Sequence, residues 1–343
     1  MKSPRCILIS GIIIFLALAD GYAQIKFDGG LESGYYKSVG PGVVLQNGFF
    51  TGLDGMAGYD YKGENRSASA RLRARPELYG FNNRLTTLKL RGDVYYRQNT
   101  NTVDWGVGLT GQKYNFNSSG LYLTYKMFSL SGSMDFYFIK YMPAEINFGY
   151  AGQFIRTPAG QSLRLYYAEG KLYKSLSNNS RLGFGLYAER FNVKGSPPGY
   201  NLYAGKENNG WRSGPEIGFN YLGESVLNLD YRFLIHSSAL TNYPSIEHWI
   251  RLVAGKLLTS RLSVFLLADF YIRNFKYNAD ADKFSYLLYT AMNFDNRIYA
   301  KLGYELSGRV EVYLRSGYFN ENLLGSKFNF EGWNALIGID VSN

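Results

Sequence analysis

The sequence predicts an all-β fold: a single transmembrane antiparallel up-and-down β-barrel of about 16 strands, with 14 and 18 as the neighbouring even counts. Three observations predict it. Aromatic residues make up 17% of the chain, with 31 Tyr and 23 Phe, and Gly reaches 39 while Pro is only 9, a balance that favours strands and tight turns. Short segments alternate polar and apolar residues with a period of two along most of the chain. After the amino terminus, no run is long and apolar enough for a membrane-crossing helix.

The amino terminus reads as an export signal over 1–23. Lys2 and Arg5 form its positive region, Ile7 to Ala19 its short apolar core, and Gly21 and Ala23 the small residues before a cut at Gln24. Cys6, the only cysteine, lies inside this signal, so the mature chain is expected to hold no thiol, disulfide or lipid anchor of the lipoprotein kind. Residues 24–343 form one domain. The formal charge is +10, and losing Lys2, Arg5 and Asp20 lowers it by one. A basic balance suits nucleic acid, anionic lipid or anionic solutes. Nucleic acid is set aside, because no recognition helix or basic tail is present.

The strands follow in order. Alternation predicts them near 25–38, 50–62, 66–78, 85–98, 103–113, 119–129, 131–140, 145–155, 162–173, 181–192, 213–221, 225–237, 247–256, 261–273, 284–293, 297–306, 309–319 and 332–342. The clearest pair is the hairpin from Ser67 to Arg97. Arg71, Arg73 and Arg75 share one face of its first strand, opposite Ala68, Ala70, Leu72 and Ala74. On the returning strand Thr87, Lys89, Arg91, Asp93 and Arg97 share a face, opposite Leu88, Leu90, Val94 and Tyr96. From Arg261 to Arg273, Leu262, Val264, Leu266, Ala268, Phe270 and Ile272 oppose Ser263, Asp269, Tyr271 and Arg273. One face is wet and the other greasy; in a barrel with charge inside, the greasy face meets lipid.

Links such as KGEN, QNTNT, SLSNN, LGES and LSGR have the Gly, Asn and Ser of hairpin turns. Longer links span Asn192 to Arg212, Ser237 to Ser245, Asn274 to Lys283 and Asn320 to Gly332. Eighteen segments place the Asn192 to Arg212 link at the short-turn end, which an outer barrel would not do, so at least one segment is miscounted. The alternatives are an extra strand at Leu323 to Phe330 and one strand in place of two over 119–140.

The signal, the alternation, the supply of Tyr and Trp and the finish WNALIGIDVSN together resemble the outer-membrane β-barrel proteins of Gram-negative bacteria. Trp333, Ala335, Ile337, Ile339 and Val341 share a face of that last strand, although the chain ends Val341-Ser342-Asn343 and not on an aromatic residue. The resemblance implies outer-membrane lipid and the barrel-assembly machinery as partners, and a porin-like channel for small solutes as the function.

Candidate pore-lining residues are Arg71, Arg73, Arg75, Lys89, Arg91, Asp93, Arg97, Arg232, Asp269, Arg273, Lys301 and Arg315. On the clearest strands, cations outnumber Asp93, Asp230, Asp269, Glu305 and Glu311, so the lumen is expected to favour anions. The competing reading is that the carboxylates brace a closed lumen. Tyr95, Tyr271, Tyr299 and Tyr313, with Phe265, fall on the same faces and could stack saccharides; space filling is the competing role. Trp105, Trp249 and Trp333 suit the membrane interfaces. The long link after Asn192 is long enough to enter the lumen as a constriction.

Enzymatic signals are weak. His236-Ser237-Ser238 has the spacing of outer-membrane acyl hydrolases, yet Ala239 and Leu240 follow where those enzymes usually continue with Asn-Gly. Asn278, Asp280 and Asp282 begin like a calcium loop, but Lys283 and Tyr289 break the pattern. No cofactor, metal site or catalytic residue is expected. The remaining alternatives are a non-conducting barrel serving display, adhesion or export, and a secreted β-sandwich.

Overall fold

The computed structural model describes residues 22–40, 43–79, 85–118, 121–137, 142–156, 161–195, 207–238, 244–274, 295–322 and 329–342. Among them are sixteen strands: β1 Tyr22–Gly40, β2 Val43–Lys62, β3 Arg66–Tyr79, β4 Leu85–Gln98, β5 Val103–Ser118, β6 Leu121–Phe136, β7 Ala144–Arg156, β8 Gln161–Ser177, β9 Ser180–Gly195, β10 Glu207–Leu222, β11 Ser225–Ser238, β12 Ser245–Leu257, β13 Leu262–Asn274, β14 Asp295–Ser307, β15 Val310–Asn322 and β16 Asn329–Ser342. Each pairs antiparallel with its neighbours in sequence, and β1 closes the ring onto β16 from Asp28↔Ser342 to Val39↔Glu331. Closure leaves no strand edge to satisfy, which a bilayer requires.

The segment count resolves in three places. The two strands expected over 119–140 are one, β6, whose centre Ser129-Leu130-Ser131-Gly132-Ser133 has turn-like composition but stays paired with β5 and β7. β13 bonds directly to β14 from Leu262↔Tyr304 to Asp269↔Arg297, so the two are neighbours in the ring; the expected 284–293 segment is outside the described residues. β15 and β16 are neighbours that pair out to Asn322↔Asn329; of the alternative strand at Leu323 to Phe330, Asn329 and Phe330 belong to β16 and 323–328 lie outside the described residues. With sixteen strands, the break at 196–206 joins those at 80–84, 275–294 and 323–328 at one end of the barrel. The opposite end carries the turns at 63–65, 178–179, 223–224 and 308–309. Residues 1–21 of the expected signal lie outside the described residues, as does the calcium-like stretch Asn278 to Asp282.

The pleat sorts side chains between lipid and lumen. Leu72, Val94, Leu109, Leu130, Phe148, Leu186, Ile217, Ile272, Leu314 and Ile337 are exposed on the outside, while Glu32, Glu77, Glu189, Arg212, Glu216, Glu247 and Asp269 are buried on the inside. This inverts the soluble arrangement and matches a lipid-facing barrel. Trp105 and Trp333 face out near opposite ends, each against a tyrosine, Tyr96 and Tyr318. Trp249 corrects the interfacial expectation: its register with Arg232 and Tyr271 turns it inward.

Candidate functional site: the inner wall

The inner wall is built by the same alternation. Register places Arg71 opposite Asp93, Arg73 opposite Arg91 and Arg75 opposite Lys89, so the β3–β4 hairpin presents its basic face to the lumen. Like-charged neighbours would destabilise such a hairpin. Carboxylates from β2 and β3 offset this: Arg73 donates to Asp54 (2.7 Å), Arg75 to Glu77 (2.7 Å), and Lys89 pairs with Glu77 (3.1 Å). Arg71 lies 3.7 Å from Asp60, and Arg91 donates to Asp93 (2.7 Å).

Across the β1–β16 closure, Glu32 gathers three donors. Arg75 (2.6 Å), Arg315 (2.9 Å) and the Tyr313 hydroxyl (2.5 Å) all bond to it, joining β1, β3 and β15 through one carboxylate. Lys301 pairs with Glu311 (2.7 Å) and Asp340 (3.3 Å), 4.1 Å above the Tyr313 ring. Arg315 lies 5.6 Å from the Tyr299 ring.

A second network braces β8 to β13. Arg232 bonds to Glu169 and to Glu216 (2.7 Å), between the rings of Tyr187 (4.4 Å) and Trp249 (4.6 Å). The Trp249 indole N–H donates to Asp269 (2.7 Å). Gly185 makes room for this cluster, because a Cβ there would sit 2.7 Å from Lys171 Cγ and 2.8 Å from Glu216 Oε1. Toward the long-loop end, Arg212 bridges Glu189 (2.9 Å) and Glu247 (2.8 Å), and Glu247 also meets His236 Nδ1 (2.7 Å). These groups are shut from water, with Arg212 1% and Glu247 0% exposed, among inward Leu163, Leu165, Phe191, Val193 and Leu234.

The turn end is different. Arg97 bonds to Asp104 (2.9 Å) and Asp135 (2.8 Å) at the edge of a cavity of about 430 Å³. Tyr95, Ser131, Ser133, Glu145, Tyr167 and Glu169 also line it. Gly106 keeps it open: a Cβ there would lie 2.5 Å from the Tyr95 hydroxyl.

The candidate pore residues therefore share the inner face, with one qualification. Arg273 takes an inward register position opposite Glu247, but its side chain is outside the described residues. The four candidate tyrosines face inward on two separate sectors, Tyr95 on β4 and Tyr271, Tyr299 and Tyr313 on β13 to β15. His236 and Ser238 also point inward, His236 held by Glu247. Glu32, Asp54, Glu77, Glu169, Glu189, Arg212, Glu216 and Glu247 escape the sequence reading, although alternation on β1 to β3, β8 to β10 and β12 carries them. The expected excess of positive charge came from strands rich in arginine; of the carboxylates named, Glu32, Asp54, Glu77, Glu169 and Glu216 pair with Arg73, Arg75, Lys89, Arg232 and Arg315.

No protein-family model matches the chain, and no curated protein does. Among solved structures, it is similar to Pseudomonas putida OprB at 9% identity over 97% of each chain, with a TM-score of 0.46. It is similar to Acinetobacter baumannii OccAB4 at 9% identity over 94% of this chain and 99% of that one, with a TM-score of 0.46. A deltaS2 mutant of the TodX monoaromatic hydrocarbon channel follows at 9% identity, 95% and 91% coverage and a TM-score of 0.39. Identity and score are low throughout, and the barrel's closure is read from its own register. An even-stranded antiparallel ring, apolar outside and charged inside, is what the outer membrane of a Gram-negative cell accepts. The architecture is that of an outer-membrane β-barrel.

Proposed function

We propose that the chain is a porin-like channel of the outer membrane that passes small hydrophilic solutes and favours anions. The supporting observation is how the β3–β4 wall presents its charges. The side chains of Arg71, Arg73 and Arg91 are 51%, 51% and 50% exposed to the lumen, whereas those of their partners Asp60, Asp54 and Asp93 are 28%, 18% and 31% exposed. The guanidinium groups stand forward and the carboxylates are recessed. A solute moving along this wall meets donors first, although the pairs are nearly neutral in sum. The route runs along β2 to β7, from Arg75 and Lys89 past Arg73, Arg91 and Arg71 to the cavity at Tyr95 and Arg97.

Selectivity should respond to this wall. Replacing Arg71, Arg73 and Arg91 together by Glu is expected to slow entry of a small dicarboxylate into proteoliposomes relative to an uncharged sugar of similar size. An unchanged ratio would remove these residues from the route. Tyr95 and Tyr299 support oligosaccharides as further solutes through stacking beside cations, whereas Tyr313 is buried with its hydroxyl on Glu32 and Lys301 over its ring and takes no part.

A second reading rests on the inner face of β8 to β12. Its closure to water, from Leu163 and Val193 to His236 and Glu247, favours a barrel that does not conduct and presents its loop end to an adhesion or export partner. Folded protein that swells no liposomes with any small solute would select it.

A further inference from the structure

The outward face carries a group of cations that the inner-wall networks do not use. Lys113 on β5, Lys126 on β6, Arg164 on β8 and Arg190 on β9 are exposed on the lipid side, each within five residues of the long-loop end of its strand. Lys113 and Lys126 stand directly opposite each other. Like charges so placed, roughly 4.5–5.5 Å apart at Cβ, repel. Arg164 pairs in register with Asn192 and Arg190 with Tyr166, which makes the two arginines diagonal neighbours about 7–8 Å apart. Gly152 and Phe154 of β7 lie between the lysine and arginine pairs. On β5 to β10, among the described residues, the outward carboxylate at this end is Glu207, and Lys194 pairs with it.

The surroundings set the depth of the patch. On the turn side of it lie the exposed apolar side chains Leu109, Leu130, Phe148 and Ile146. Arg190 sits in register between Tyr166 and Trp211, both exposed outward. Tyrosine and tryptophan collect where acyl chains give way to headgroups, and long basic side chains extend toward the same layer.

We propose that this patch binds the phosphate groups of anionic lipids in the leaflet at the long-loop end. The inference rests on the reading of the chain as a membrane-spanning barrel. A phosphate supplies several acceptor oxygens, enough to join the Lys113–Lys126 pair and to take a forked guanidinium from Arg164 or Arg190. It removes the repulsion between the facing lysines. Inner cations such as Arg75, Lys89 and Arg232 already have carboxylates; among the described residues, no carboxylate pairs with these four.

The test uses the full barrel in phosphatidylcholine nanodiscs containing either lipid A or dephosphorylated lipid A, with retained lipid read by native mass spectrometry. The wild type is expected to retain the phosphorylated form preferentially. The combined variant Lys113→Gln, Lys126→Gln, Arg164→Gln and Arg190→Gln should lose that preference, by roughly fivefold for each charge removed. Lys174→Gln with Lys256→Gln, at the turn end, should leave it intact. Equal retention of both lipids by the wild type, or preference persisting in the combined variant, overturns the proposal. Heat-dependent gel mobility reports insertion separately: wild type that inserts but shows no preference defeats this inference alone, and wild type that never inserts defeats the membrane reading with it.

Discussion

At the scale of single residues, exposure decides what an ion pair is worth. Arg212 is enclosed with Glu189 and Glu247, so removing it leaves two carboxylates buried without their shared cation. Arg212→Met is expected to destabilise the folded barrel by about 3–5 kcal/mol, read as a shift in the urea midpoint in lipid vesicles. Arg91 is half exposed beside Asp93, and Arg91→Gln should cost no more than about 1 kcal/mol. Comparable losses for the two variants would mean that the Arg212 network is solvated. Residue-level legibility followed the same divide. The basic face of β3 and β4 could be read because its opposite face is apolar from Ala68 to Leu78 and from Leu88 to Tyr96. The Arg212 network could not, because Leu163, Leu165, Phe191, Val193 and Leu234 share its inward face and erase the contrast that alternation depends on.

At the scale of strands, the period of two sets the consequence of a charge. Leu130 and Ser129 are neighbours in the middle of β6, but Leu130 faces lipid and Ser129, opposite Thr110 and Ala151, faces the lumen. Leu130→Arg should cost about 2–4 kcal/mol in a vesicle unfolding experiment, while Ser129→Arg should cost far less. Equal costs would place β6 in the wrong register. The same strand shows where composition misleads. Three serines and a glycine over Ser129 to Ser133 suggest a turn, but the serines face the lumen and the pairing to β5 and β7 continues unbroken. Trp249 shows the converse, since an isolated tryptophan suggests an interface until register turns it onto Arg232.

At the scale of the whole molecule, the closed ring makes the inner wall one electrostatic object. Glu32 ties β1 to β3 and to β15 across the seam where the ends of the chain meet. Glu32→Gln should loosen that seam, seen as a lower temperature for loss of the compact gel form while the variant still inserts; an unchanged temperature would leave the seam to backbone pairing alone. Barrel class, an even count near sixteen and the basic hairpin were legible in the sequence because they rest on local alternation. The balance of charge was not, because it is set by pairs such as Arg315 and Glu32 that meet only once the ring closes. The central claim, a solvated lumen whose forward charges are guanidinium groups, is tested most directly by single-channel recording of the wild-type barrel under a salt gradient. Steady conductance with a reversal potential of the sign set by anion preference is the expected result; a silent barrel, or a reversal potential of the opposite sign, would contradict it.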